Sequence, residues 1–264
     1  MIEQHRNKPI ANSLQQFNAG NVYDEYFARM VSNIFENAAR IGNTQEGNTE
    51  EEKRSQYGVD SDGGYKCIHL YIISFIAIFN DLISSQQWTP KQIEKIRFID
   101  VGCGVGQKIF LAQCFGFKAY GLELRKALIE EGKKAFGLVG GKPEHFLNIL
   151  NNWECKSEPA FIQGNALTFE DYSNFDVIYF YCPLFKPELQ KKLEDKIART
   201  AKEGSIVVPC LAHGVFELRS DYEGKPCASP EAKDLGWEFT AGDDNIACNN
   251  NKGYFIRHNN SFDI

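Results

Sequence analysis

Five residues near the middle of the chain have the types and spacing that ligand chemistry needs: Asp100, Gly102, Gly104, Gly106 and Glu123. An apolar, strand-like run (Ile96, Phe98, Ile99, Val101) carries Asp100. It then breaks into the alternating glycines before an apolar helical stretch from Gln107 to Phe115. Glycine lacks Cβ, so such a turn can take positive φ and bring backbone N–H groups close to a bound molecule. A second short strand, Lys118 to Leu124, is interrupted by Glu123, at the place where nucleotide-type βαβ units present an acid to ribose hydroxyls. Strand, glycine turn, helix, strand and acid together read as a cofactor cradle. Asp100 either supports the ligand or caps the turn that follows it. A dinucleotide fingerprint, G-x-G-x-x-G, places its third glycine where this chain has Gln107, so the pyrophosphate version fits poorly. The competing reading is a tight βα turn that binds nothing.

The elements around the cradle follow from periodicity. Residues 1–20 are polar and read as a loosely held arm. From Asn21 to Ile41 the apolar residues Tyr23, Phe27, Met30, Val31, Ile34, Phe35 and Ala38 recur at helical spacing. Residues 42–64 are poor in apolar side chains and read as a linker, or as a lid bearing Tyr57 and Asp60 next to Tyr65. Lys66 to Ser84 is apolar nearly all round but is broken at Asn80-Asp81, which favours a buried helix over a membrane span. After the cradle we expect a helix over Arg125–Phe136 broken by Gly137–Gly141, and a helix over Pro143–Trp153. A strand at 160–164, a central strand at 176–183, a helix over Pro187–Lys202 and a strand at Ser205–Cys210 follow. Residues 219–235 read as a surface loop, and Gly236–Thr240 and Gly253–His258 as a closing strand pair.

On Asp-Val-Gly-Cys-Gly-Val-Gly-Gln and the acid that closes the second strand, the chain resembles the class I S-adenosylmethionine-dependent methyltransferases. The likeness spans roughly residues 64–264, with 1–63 as an N-terminal helical arm and loop. It implies a Rossmann-like α/β fold: a mostly parallel seven-stranded sheet with helices on both faces and an antiparallel last strand inserted. It also implies S-adenosyl-L-methionine as cofactor, no metal, and transfer of a methyl group. Residues Asp100, Gly102, Cys103, Gly104 and Gly106 would hold the amino-acid end, Glu123 the ribose hydroxyls and Leu124 the adenine. Asn165 and Ala166, in the turn Gly164-Asn165-Ala166-Leu167, would meet the adenine amino group; an Asn turn without a ligand is the alternative. Cys103 reads as a small packing residue inside the cradle rather than a nucleophile. Within the class, the glycine series, the Gly164-Asn165 turn and the run Val177–Val207 look like the histone-lysine methyltransferases without a SET domain. That family carries an asparagine-bearing sequence after the fourth strand where this chain has Tyr181-Cys182-Pro183, so lysine specificity is not carried over. Tyr181 is the candidate for contact with the acceptor, His213 a candidate base, and His69 a packed helix residue.

Composition bounds the rest. The chain has 264 residues, 43% hydrophobic and 24% charged, with a formal charge of −6. That balance suits one catalytic domain and argues against a surface devoted to phosphate backbones, so a protein or small-molecule acceptor is favoured over nucleic acid. Eight scattered cysteines without a C-x-x-C pair, and a polar N-terminus, point to a reducing, cytoplasmic setting with no membrane association. The alternatives to an enzyme are an S-adenosylmethionine-binding sensor or partner subunit without turnover and, against the glycine spacing, a nicotinamide oxidoreductase.

Overall fold

A computed structural model of the chain describes residues 22–45, 68–140, 160–181, 183–184, 186–223, 225–241 and 253–258. In chain order the elements are α1 (Val22–Gln45), α2 (Ile68–Ser85), α3 (Pro90–Ile93), β1 (Arg97–Val101), α4 (Gln107–Phe115), β2 (Lys118–Glu123), α5 (Lys126–Gly140), β3 (Ala160–Gln163) and β4 (Val177–Tyr181). They continue with α6 (Pro187–Thr200), β5 (Ile206–Cys210), β6 (Arg219–Ser220), β7 (Pro226–Cys227), α7 (Pro230–Asp234), β8 (Trp237–Ala241) and β9 (Gly253–Arg257). Seven strands form one sheet in the order β3-β2-β1-β4-β5-β9-β8. The first five run parallel, and β9 lies antiparallel between β5 and β8.

Alternation along the strands divides the core between two faces. Phe98, Val177, Tyr179, Ile206 and Val208 face α1, α2, α4 and α5. Ile99, Val101, Ile178, Phe180 and Val207 face α6 and α7. Covering on both sides explains why β4 is a near-continuous apolar run. On the first face, α2 stacks Phe75 on Phe79, 4.3 Å between ring centres, and both rings meet Phe98 edge-on. Each such buried ring contributes about 1.5–3 kcal/mol. The Ser85 hydroxyl lies 2.6 Å from that of Tyr254 and ties α2 to β9. Helix α2 is therefore a core element, and among the described residues no helix is long and apolar enough to cross a membrane.

Three expectations need correction. Helix α1 runs on through 42–45, the first residues of the expected linker. Helix α5 does not stop at Gly137. A Cβ at Gly137 would meet nothing, so that glycine lies on an open face, where its cost of about 1 kcal/mol is outweighed by the burial of Ala135 and Phe136 just before it. The region 219–235 is not only surface loop: it holds β6, β7 and α7, and its Ala228 and Ala232 are buried, as are Val215 and Phe216 just before it, where Phe216 meets Trp237 and Phe255. Two buried alanines anchor a stretch whose average composition is polar. The expected helix over 143–153, the 1–20 arm and the lid residues Tyr57, Asp60 and Tyr65 lie outside the described residues.

Candidate cofactor site

Strand order reverses between β1 and β4, and the carboxyl ends of these neighbours open the crevice where α/β sheets receive ligands. The glycine turn sits there. Gly102, Gly104 and Gly106 have φ of 75°, 56° and 82°, a region that side chains with a Cβ rarely enter. Their surroundings differ. A Cβ on Gly106 would stand 2.7 Å from Phe161 Cζ, and one on Gly102 would stand 2.3 Å from Pro183 Cβ, whereas one on Gly104 would meet nothing within 4 Å. Gly102 and Gly106 are therefore needed for packing as well as backbone shape, and Gly104 faces the open crevice.

The turn is held from β2. The backbone N–H groups of Gly102 and Cys103 both donate to the Leu122 carbonyl, at 2.8 and 3.1 Å, and that of Gly106 donates to Cys103. Gly104 N–H donates to Glu123 Oε2 at 2.9 Å, and Arg125 N–H donates to Glu123 Oε1 at 2.9 Å. The structure thus brings the acid and the middle glycine, nineteen residues apart, into direct contact. Two bonds leave lone pairs on the carboxylate for further donors. Glu123 is buried; burial pushes its carboxyl above the usual range, and the Arg125 and Gly104 N–H groups oppose that rise.

Asp100, 4% exposed, lies in β1 just before the turn. Burial raises its pKa to about 7, with Lys108 opposing and Glu123 adding to the rise. Burial also lowers the Lys108 ammonium to about 8, while Asp100 works the other way. Lys108 Nζ donates to Gln107 Oε1 at 2.6 Å, and the buried Gln107 Nε2 has no hydrogen-bond partner among the described residues. Sequence reasoning missed Gln107 and Lys108 as site residues. The available signal was a Gln-Lys pair opening an otherwise apolar helix directly after the third glycine.

The remaining candidates fall around this core. Leu124, next to the acid, is 42% exposed, an apolar side chain left open at the crevice. Gly164 N–H donates to the Glu123 carbonyl at 2.9 Å, which sets the 164–167 turn beside it. Asn165 Oδ1 accepts from Leu167 N–H at 2.9 Å, so the side chain shapes its own turn, and the Ala166 carbonyl accepts from the Tyr172 hydroxyl. The Cys103 side chain packs beneath β2, where a Cβ on Gly121 would stand 2.5 Å from its sulfur. Tyr181, half-buried at the end of β4, pairs with Cys210 of β5. His69 lies in α2.

On the β4 and β5 side, a fully buried pair on α6 ties down the loops. Glu194 accepts from the backbone N–H groups of His213, Gly214 and Phe216, at 2.8, 2.8 and 3.2 Å, and from Gln190 Nε2 at 3.1 Å. Gln190 Oε1 accepts from Leu184 N–H. The loop so held begins at Leu211, a non-glycine residue with φ of 56°, a conformation that persists only where its surroundings enforce it. His213 is therefore fixed through its backbone, just past β5.

No family model matches the chain, and no curated protein matches it in sequence. Among solved structures it is similar to an RNA methyltransferase from Salinibacter ruber in complex with S-adenosyl-L-homocysteine, at 19% identity, covering 48% of this chain and 72% of that one, with a TM-score of 0.35. It is also similar to a TehB-like SAM-dependent methyltransferase from Corynebacterium glutamicum, at 14% identity, covering 67% and 85%, with a TM-score of 0.38. A third is magnesium protoporphyrin IX methyltransferase from Synechocystis with bound SAM, at 14% identity, covering 68% and 83%, with a TM-score of 0.37. The strand order itself, with antiparallel β9 inserted between β5 and β8, gives the chain the Rossmann-like fold of the class I methyltransferases.

Proposed function

We propose that this protein is an S-adenosylmethionine-dependent methyltransferase. The observation that carries the reading is the Glu123 carboxylate bonded to Gly104 N–H at 2.9 Å, at the mouth of the β1/β4 crevice. Three features of the site fit an adenosyl amino acid. Gly104 faces open space, Leu124 offers an uncovered apolar surface beside the acid, and Gln107 Nε2 is a buried donor without a partner among the described residues.

In this reading Glu123 accepts hydrogen bonds from both ribose hydroxyls, Leu124 packs on adenine, and Asn165 and Ala166 flank its amino group. Asp100, Gly102, Cys103, Gly104 and Gly106 hold the amino-acid end. When bound, the cofactor supplies a methyl group on a sulfonium, already activated towards a nucleophile. The protein's own work is then alignment and exclusion of water rather than acid–base chemistry. The Gln190–Glu194 brace fixes the loops after β4 and β5, where Tyr181, at the end of β4, and His213 would meet the acceptor. A protein or small-molecule acceptor and a cytoplasmic setting are our reading of the acidic composition and the scattered cysteines.

One observation favours a second reading, a binding protein without turnover. Pro183 lies directly against Gly102 and narrows the crevice on the β4 side. Calorimetry with S-adenosylmethionine, S-adenosylhomocysteine and NAD tests the cofactor; tight binding of NAD alone would overturn both readings. Release of S-adenosylhomocysteine from an acceptor library then separates enzyme from binder.

A further inference from the structure

Helix α1 ends beside the acid of β2. Upstream it is anchored by buried Val31, Phe35, Ala38 and Ala39, with the Phe35 ring 5.8 Å from Phe110 of α4 and 5.5 Å from Phe136 of α5. It therefore packs on both helices that frame the cradle. Near its C-terminal end, Gly42 lies on the start of α5. A Cβ there would stand 2.9 Å from Leu128 Cδ2 and 3.3 Å from the Ala127 carbonyl oxygen, so the absence of a side chain allows the approach. The approach brings Asn43 Oδ1 to 2.5 Å from Arg125 Nη1. Arg125 is the residue whose backbone N–H holds Glu123 Oε1, and its guanidinium also favours the ionised form of that carboxyl.

We propose that Asn43 is a positioning residue for the cofactor ribose: by pinning the Arg125 side chain it holds the Glu123–Arg125 turn, and with it the Glu123 carboxylate, in the arrangement that receives two vicinal hydroxyls. The inference rests on the reading of Glu123 as the ribose-binding acid. Only Leu124 separates Glu123 from Arg125, so the turn has little slack, and an arginine already fixed by Asn43 loses less freedom when the ligand binds. The N-terminal helix thereby becomes part of the cofactor site, although Asn43 itself touches no cofactor atom.

The test is calorimetry of S-adenosylhomocysteine binding to the full chain, with the unliganded melting temperature measured in parallel. Asn43→Ala is expected to weaken binding about 5- to 10-fold with little change in melting temperature, the size of coupling found between residues of one network. Asn43→Asp, which keeps an oxygen facing the guanidinium, is expected to restore affinity to within about twofold. Arg125→Ala should lose at least as much as Asn43→Ala, and the double variant no more than Arg125→Ala, because the two side chains act through one contact. Wild-type affinity in Asn43→Ala, alongside lost binding in Glu123→Ala, would overturn the role of Asn43 while leaving Glu123 in place. Affinity and melting temperature falling together, without rescue by aspartate, would reduce Asn43 to a fold-holding residue and overturn the proposal. Unchanged binding in Glu123→Ala would remove the reading on which it rests.

Discussion

Replacing Glu123 by alanine is the most direct perturbation of the site. The carboxylate accepts the Gly104 and Arg125 N–H groups and, in the proposed complex, two ribose hydroxyls. Hydrogen bonds to a charged acceptor contribute about 1.5–3 kcal/mol each, and water recovers part of what two of them lose. The net loss is about 2–4 kcal/mol, or about 30- to 700-fold in Kd for S-adenosylhomocysteine. Stability should respond much less, because two effects oppose. The variant strands two N–H donors, but it also removes a buried carboxyl whose ionised form burial disfavours. We expect a change within about 1 kcal/mol, or roughly 2–4 °C in the melting temperature. Glu123→Gln keeps one carbonyl oxygen but turns an amide nitrogen towards a second N–H donor, so it should lie between, at roughly 5- to 30-fold weaker binding. The assay is titration calorimetry with thermal melts of the same samples. Alanine binding within twofold of wild type, at an unchanged melting temperature, would refute the assignment of the acid.

Other perturbations separate packing from binding. Gly104→Ala should cost about 1–2 kcal/mol for its positive φ and also weaken S-adenosylhomocysteine binding, since the methyl enters the crevice; Gly106→Ala should add about 1–3 kcal/mol more from the clash with Phe161. Urea titrations of the two variants check the order, and equal stabilities would contradict the contact. Glu194→Ala should destabilise by about 3–5 kcal/mol by leaving three backbone N–H groups unpaired in a buried site, measured the same way; a loss below about 1 kcal/mol would mean that water replaces the carboxylate. Asp100 has a folded pKa of about 7 against an ordinary 3.8, so the stability it contributes at low pH is lost as pH rises from about 4 through about 7. Asp100→Asn stays neutral and should gain on wild type across that window and level off above it; a pH-independent difference in urea midpoints would contradict the burial argument.

The sequence by itself determined the elements that depend on local pattern. Three alternating glycines after an apolar strand can only be a sharp turn, and Glu123 stood out because it broke an apolar run. The near-continuous apolar run at 177–181 already meant a central strand of the sheet. Local pattern misled where tertiary packing outweighed it: α5 passes through Gly137, and the polar stretch 219–235 is anchored by buried Ala228 and Ala232.

Tertiary structure alone decided which groups meet. Register between β1 and β2 places Glu123 against Gly104, helix packing brings Asn43 to Arg125, and the return of the chain past β5 lays three N–H groups on Glu194. Sequence spacing fixes backbone conformation over a few residues. Contacts between residues nineteen or eighty-two positions apart depend on how whole faces bury one another. For the same reason Lys108 reads in sequence as an ordinary helix residue, and only the fold that half-buries it near Asp100 gives the pair their shifted protonation.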